Sequence, residues 1–176
     1  MKSSTNTLVK AGLFLALGII ITYIFHATGI PGTIFLPMHI PVLLCGFILG
    51  SRYGLIIGVL TPLLNSLFTG MPPLYPVAIS MALELGAYGF FAGFLYKEKN
   101  KNIYVSLISS MILGRVIAGI ANFLLLTAKG GSFVLAGFLT SAFVTAFWGI
   151  VIQLILIPFL VKTLEKVSSK ELSRWI

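Results

Sequence analysis

The sequence predicts an all-α membrane protein with six transmembrane helices and both termini in the cytoplasm. Three observations predict it. First, of 176 residues 58% fall in the hydrophobic set and 9% are charged, with a mean hydropathy of +1.07. A water-soluble domain needs about a quarter of its residues charged to cover its surface. Second, the apolar residues gather into runs separated by clusters drawn from 18 Gly and 8 Pro, a mixture commoner in membrane helices than in soluble ones. Third, the basic residues collect in alternate loops. Disorder is excluded, because its signature is low hydrophobicity with high charge density.

The elements follow in order. The first span runs from about Thr7 to Phe25 and ends at the breakers His26, Gly29, Pro31 and Gly32. Lys2 and Lys10 precede its apolar stretch, and no small-x-small site closes that stretch before Pro31, so it is expected to stay as a span rather than be cleaved. A short second run, Pro37 to Gly50, carries Pro37 and Pro41 in its first turn and is expected to be irregular there, lining protein rather than lipid. After Ser51 and Arg52 a third span covers Tyr53 to Thr69, interrupted by Pro62 and ended by Gly70-Met71-Pro72-Pro73-Leu74-Tyr75-Pro76. The fourth runs from Val77 to Tyr96, up to the charged loop Lys97-Glu98-Lys99-Asn100-Lys101-Asn102. The fifth spans Ile103 to Thr127 and turns at Lys129-Gly130-Gly131; the sixth is a long helix from Phe133 to about Val161, with Pro158 near its end. At about 20 residues per span the chain has room for roughly six or seven helices. Residues 1–176 thus read as one six-helix membrane domain with a short cytoplasmic tail over about 162–176.

The net charge of +8 reports topology rather than nucleic acid. With the N-terminus inside, ten of the twelve basic residues (Lys2, Lys10, Arg52, Lys97, Lys99, Lys101, Lys162, Lys166, Lys170 and Arg174) lie on the inner side, as the positive-inside rule requires. Lys129 is left outside and Arg115 lies within a span. Contact of the inner rim with anionic lipid is a minor addition to that reading. The segment Thr163 to Trp175 alternates charge on a helical period and reads as a solvated helix end.

Several chemistries are missing. The chain has no G-x-x-x-x-G-K-[ST] phosphate loop, no H-E-x-x-H pair and no G-x-S-x-G nucleophile turn. Cys45 stands alone in an apolar run, so it reads as core packing and no intrachain disulfide forms. His26 and His39, both on the outer side, are too sparse a set for a metal centre. No enzyme, cofactor or metal site is expected.

Two ionisable residues do sit at membrane depth, Glu84 in the fourth span and Arg115 in the fifth. A charge at the centre of a span costs roughly 2.5–3.5 kcal/mol on insertion scales, which marks both as functional candidates. From the rise per residue, Glu84 lies about 12 Å from Pro76 and Arg115 about 18 Å from Thr127. On adjacent antiparallel helices they can meet. They then either form a structural ion pair or hold the charged or polar group of a solute. Arg115, Gly119 and Asn122 recur at i, i+4, i+7 and share a face, which reads as the wall of an outward pocket or as a helix-packing surface. His39 and Asn65 lie at comparable depth, with Gln153 further in. Tyr75, Tyr88, Phe123 and Trp148 are aromatics that can stack on a flat ligand or serve as core and interface residues. On the first helix, Gly12 and Ala16 form a small-x-x-x-small face for close helix approach.

The order of these features resembles the substrate-binding S component of energy-coupling factor (ECF) vitamin transporters. The likeness covers nearly the whole chain. Its most specific stretches are Leu36-Pro37-Met38-His39-Ile40-Pro41 through Gly50, Tyr53-Gly54-Leu55, Leu63 through Pro73, Ala82-Leu83-Glu84-Leu85 and Gly89-Phe90-Phe91-Ala92-Gly93. The resemblance implies a six-helix binding subunit without an ATP site, energised by a transmembrane T subunit and two cytoplasmic ATPases, in a bacterial plasma membrane. It implies docking on the T subunit through an A-x-x-x-A face, matched here by Gly12 and Ala16 with Gly in the first place. It also implies vitamin binding near the outer face, which points to His39, Asn65, Glu84, Arg115, Asn122 and Lys129. Release of the solute inward by toppling in the membrane is a further implication.

For the solute, the chain most resembles the branch of predicted pantothenate carriers, which makes pantothenate the lead, and Arg115 with Lys129 can hold its carboxylate by charge-assisted hydrogen bonds. If Glu84 neutralises Arg115, an uncharged or amine-bearing solute is as reasonable, and riboflavin, folate, a pyridoxine-type vitamin and cobalamin precursors stay open. The rival mechanism is a self-contained secondary carrier or channel coupled to protons through Glu84.

Overall fold

The computed structural model describes residues 5–172, with side chains to Val167. Lys2 and Arg174 lie outside the described residues, as do the side chain of Lys170 and the end of the expected tail. Among the described residues all regular secondary structure is helical. Helix α1, Thr5–Ala27, is followed by a single turn, α2, Gly32–Phe35. Leu36 closes that turn in the left-handed region at φ 52°, its N–H donating to Gly32 O at 2.9 Å. Helix α3, His39–Leu49, meets α4, Ser51–Thr69, across Gly50, whose φ of 92° is open to glycine at little cost.

Helix α5, Ile79–Gly93, carries a π turn at each end, Leu74–Ala78 and Phe94–Glu98. Helix α6, Ile103–Ala128, starts at Asn102, whose side chain accepts from the Tyr104 N–H at 2.9 Å and so satisfies one of the free donors of the first turn. The last pass consists of α7, Leu135–Leu139, a π turn over Thr140–Thr145, and α8, Phe147–Leu172.

Five of these segments are long and apolar enough to cross a membrane: Thr5–Ala27, Gly32–Leu49, Leu74–Glu98, Ile103–Ala128 and Phe147–Val167. Helix α4 has 19 residues, about 28 Å of rise, but Arg52 and Asn65 make it less apolar than its neighbours. The expected sixth helix, continuous from Phe133 to Val161, is instead broken at the π turn and at Ala146, and α8 runs on into the expected tail. The break serves packing: the backbone of Gly149 lies against α2, where an added Cβ would stand 2.8 Å from Ile34 O.

The core lies where α3, α5, α6 and α8 converge. Val42, Leu43, Phe47, Leu85, Tyr88, Leu107, Ile157 and Val161 are fully buried in it. Glycines let α3, α4 and α5 approach backbone to backbone: a Cβ on Gly46 or Gly54 would strike the carbonyl of Gly89, and one on Gly58 the carbonyl of Leu85. Helix α1 is peripheral and buries a narrow strip, Ala11, Phe14, Gly18 and Thr22.

Candidate solute-binding site

Helices α5 and α6 run antiparallel, and three contacts set their register. Asn122 Nδ2 donates to Ser80 Oγ at 2.6 Å. Arg115 Nη1 stands 3.0 Å from Glu84 Oε1. At Gly114 an added Cβ would enter the ring of Tyr88. Because Ser80, Glu84 and Tyr88 are four residues apart they share a face of α5, and small or polar partners on α6 meet each of them. Glu84 and Arg115, each costly alone in an apolar helix, are thereby brought together, their side chains 9% and 11% exposed.

The N-terminus of α3 supplies the third member. His39 is 2% exposed, with Nε2 3.8 Å from Glu84 Oε1 and its ring 5.2 Å from that of Tyr88. The kinked approach through Leu36 and Pro37 delivers the imidazole there. These three side chains line a cavity of about 260 Å³ enclosed by α1, α2, α3, α5, α6 and the π turn before α8. Thr22 of α1, Met81 of α5 and Ser141 and Ala146 of the broken sixth segment complete its polar and apolar walls. At the small end of the usual ligand-pocket range, it suits a compact ligand.

Beside the cavity several polar side-chain atoms are buried. Both ring nitrogens of His39, Arg115 Nη2, Glu84 Oε1 and the Tyr88 hydroxyl are buried without a hydrogen-bond partner. Glu84 Oε1 is close enough to Arg115 to form an ion pair but is not aligned for a hydrogen bond. Burying polar groups is expensive unless they find partners, and here Glu84 Oε1 gathers Arg115 Nη1 at 3.0 Å and His39 Nε2 at 3.8 Å around itself at the cavity wall. His26 also lines this cavity, and among the described residues no group of three or more His, Cys, Asp and Glu is placed to hold a metal.

Among the described residues, the cavity wall does not include Asn65, Asn122 or Lys129. Asn65 is fully buried in α4, where its Nδ2 donates back to Thr61 O at 3.0 Å. Asn122 is committed to Ser80 and to Ala118 O. Lys129 is exposed and sits over the Tyr75 ring at 4.6 Å.

A model of the ECF transporter substrate-specific component family matches residues 6–161. The chain belongs to this family. No curated protein and no solved structure matches it. As a member of this family it is a multi-pass membrane protein and a substrate-specific transport subunit; the family's components are transport subunits, and membership implies a small-molecule substrate and partner T and ATPase subunits. On the substrate-specific component, Gly12 and Ala16 lie on the exposed side of α1, and nothing stands within 4 Å of the place a Gly12 Cβ would take. Leu8, Leu13 and Ile20 extend the same open surface.

The sequence pattern pointed to Glu84, Arg115 and His39 through charge and depth. It passed over Thr22, Met81 and Ser141, ordinary residues in apolar runs that reach the cavity through the fold alone. It also passed over Gly114, whose signal is a small residue beside Arg115 on the side of α6 facing Tyr88.

Proposed function

We propose that this chain is the vitamin-binding subunit of an ATP-driven ECF importer in a bacterial plasma membrane, holding its solute in the cavity formed by His39, Glu84 and Arg115. The observation that carries the reading is the convergence of these three buried, incompletely hydrogen-bonded side chains on one cavity in a chain of this family. In the reading, residues 1–176 form one domain of six spans with both termini cytoplasmic. Support comes from the end of the bundle where Ser51 donates to Glu98 and Tyr96 donates to Glu165 at 3.0 Å, which also carries Lys97 and Lys101. Gly12 and Ala16 dock on a T subunit, and two ATPases supply the energy. Asn65, Asn122 and Lys129 shape the outer half from behind the wall, Asn122 by holding Ser80 one turn from Glu84.

Pantothenate is the first solute to test. Its carboxylate suits the free Nη2 of Arg115, and its hydroxyl and amide groups suit Glu84 and His39. One observation favours a second reading: Glu84 already neutralises Arg115 at 3.0 Å, which suits a solute with an uncharged polar end. A cavity of about 260 Å³ is small for a cobalamin precursor.

Native mass spectrometry of the purified protein identifies the retained solute, and reconstitution with and without T and ATPase subunits tests the energy source. Tight binding alone, with uptake that needs partners and ATP, is expected. Gradient-driven uptake by the isolated chain would instead establish a self-contained proton-coupled carrier working through Glu84.

A further inference from the structure

About 20 Å along α5 from Glu84, at the other end of the bundle from the cavity, lies a second polar recess. It is a cleft of about 360 Å³ between the π turn that ends α5 and the tail of α8, lined by Tyr96, Lys97, Asn100, Lys101 and Glu165. Its walls are fixed. The N–H groups of Lys99 and Lys101 donate at 2.9 Å to Phe94 O and Leu95 O, and Asn100 turns the chain between them in the left-handed region at φ 51°. The loop so folded back on α5 brings Lys97 and Lys101 to one cleft. The Tyr96 ring lies 5.2 Å from that of the buried Phe47, and its hydroxyl donates to Glu165 at 3.0 Å.

Charge is out of balance at this end. The two acids here are engaged by hydroxyls, Glu98 accepting from Ser51 and Glu165 from Tyr96. Among the described residues, neither Lys97 nor Lys101 forms a salt bridge. Beside the cleft, α8 turns an apolar face outward: Ile155 and Phe159 are 69% and 65% exposed and, with Ile152 and Leu156, line a slot of about 280 Å³. Lys162 follows Ile155 by seven residues and Phe159 by three, which puts it on the same stripe of α8. At 100° per residue its place around the helix falls between Phe159 on the slot and Glu165 at the cleft. A hydrocarbon face that leads past one lysine to a cleft holding two more is the complement of a lipid with an anionic head.

We propose that the cleft binds one anionic phospholipid, its phosphate held by Lys97 and Lys101 with Lys162 at the entrance, and an acyl chain laid along Ile155 and Phe159. In the topology proposed above, this lipid comes from the cytoplasmic leaflet. Its head bridges the α5–α6 loop and α8, alongside the Tyr96–Glu165 hydrogen bond. The site is separate from the cavity and stands whatever solute the cavity holds.

The test uses the full chain in mild detergent with an equimolar mixture of phosphatidylglycerol and phosphatidylcholine of the same acyl chains, and native mass spectrometry reads which lipid is retained. A single phosphatidylglycerol is expected to be retained at least about tenfold over phosphatidylcholine, and Lys97→Gln with Lys101→Gln to remove that preference. Arg52→Gln with Lys99→Gln takes the same charge from the same end but outside the cleft, Lys99 lying over the Phe94 ring, and is expected to leave the preference unchanged. Phe159→Ala is expected to weaken retention of both lipids. Equal losses in the two charge variants mean diffuse attraction by a basic rim and overturn the site, as does retention of both lipids without preference. Displacement of the lipid by glycerol 3-phosphate, a head without chains, assigns the cleft to a free phosphate and also overturns it. Unchanged retention in Phe159→Ala overturns the placement of the chain on α8.

Discussion

Between α4 and α5, a Cβ added to Gly54 would strike the carbonyl of Gly89, and one added to Gly89 the carbonyl of Gly54. Between α6 and the α7 segment, the nearest obstacle to a Cβ on Gly119 is the ring edge of Phe138 at 3.1 Å. In the first region glycine opposes backbone, which cannot step aside; in the second it opposes a side chain that can turn. The residues that form the polar floor of the cavity divide along the same line. Glu84 comes from the tightly packed side and His39 from α3 beside it, whereas Arg115 comes from α6, next to the adaptable wall. Packing around the cavity is therefore fixed on the α4–α5 side, while α6, which carries Arg115, has behind it a side-chain contact that can adjust.

The pair that spans this boundary carries the largest expected effect. Glu84→Ala leaves the Arg115 guanidinium buried without its counter-charge, and breaking a buried pair in this way costs about 3–5 kcal/mol. Thermal unfolding in nanodiscs measures it. Arg115→Met, which removes the other charge but keeps the bulk, is expected to lose comparable stability, and the double substitution Glu84→Ala with Arg115→Met to lose less than the two singles added together. A double variant as unstable as the sum of the singles shows that the two residues act independently.

Next comes the packed side. Gly89→Val puts two methyl groups where the Gly54 carbonyl stands, and overpacking of this kind costs about 3 kcal/mol. Loss of monodisperse protein or a large drop in midpoint temperature is expected. A midpoint within a degree or two of wild type removes the distinction between the two sides.

How far the sequence reaches follows the same division. The apolar helices, their order and the Glu84–Arg115 meeting were legible because each rests on a strong local cost: an apolar run that excludes water, a charge that needs a partner, a proline cluster that stops a helix. The break in the last pass was not. Phe133 to Val161 contains no charge and, before Pro158, no proline, so nothing local argues against a continuous helix; the π turn over Thr140–Thr145 answers a tertiary demand, the backbone contact of Gly149 with α2. For the site, His39, Glu84 and Arg115 were legible as polar groups in apolar surroundings. The destinations of Asn65, Asn122 and Lys129 were not, because an amide bonding its own helix, an amide bonding a neighbour and a lysine over a ring look alike in sequence.

A smaller effect is expected on the adaptable side. Phe138 is half-buried and its ring edge is free to shift, so Phe138→Ala is expected to lower stability by about 1 kcal/mol, well under the 3–5 typical of a phenylalanine in a closed core. A loss as large as that of Gly89→Val means that the α6–α7 wall is as rigid as the α4–α5 contact, and that packing around the cavity is fixed on both sides.

The smallest effect on the fold is expected at the outermost surface. Gly12 has open space beyond it, so Gly12→Leu is expected not to destabilise the isolated chain and to gain up to about 1 kcal/mol from helix propensity on leaving glycine. Its effect lies elsewhere. A smooth strip at Gly12 and Ala16 lets another helix approach to backbone distance, and a leucine holds that helix off. Co-purification with T and ATPase subunits is therefore expected to fall while vitamin binding by the isolated chain is unchanged. Binding lost together with association places α1 in the pocket through Thr22, which already lines it, and makes the exposed face of α1 part of the adaptable wall rather than a separate docking surface.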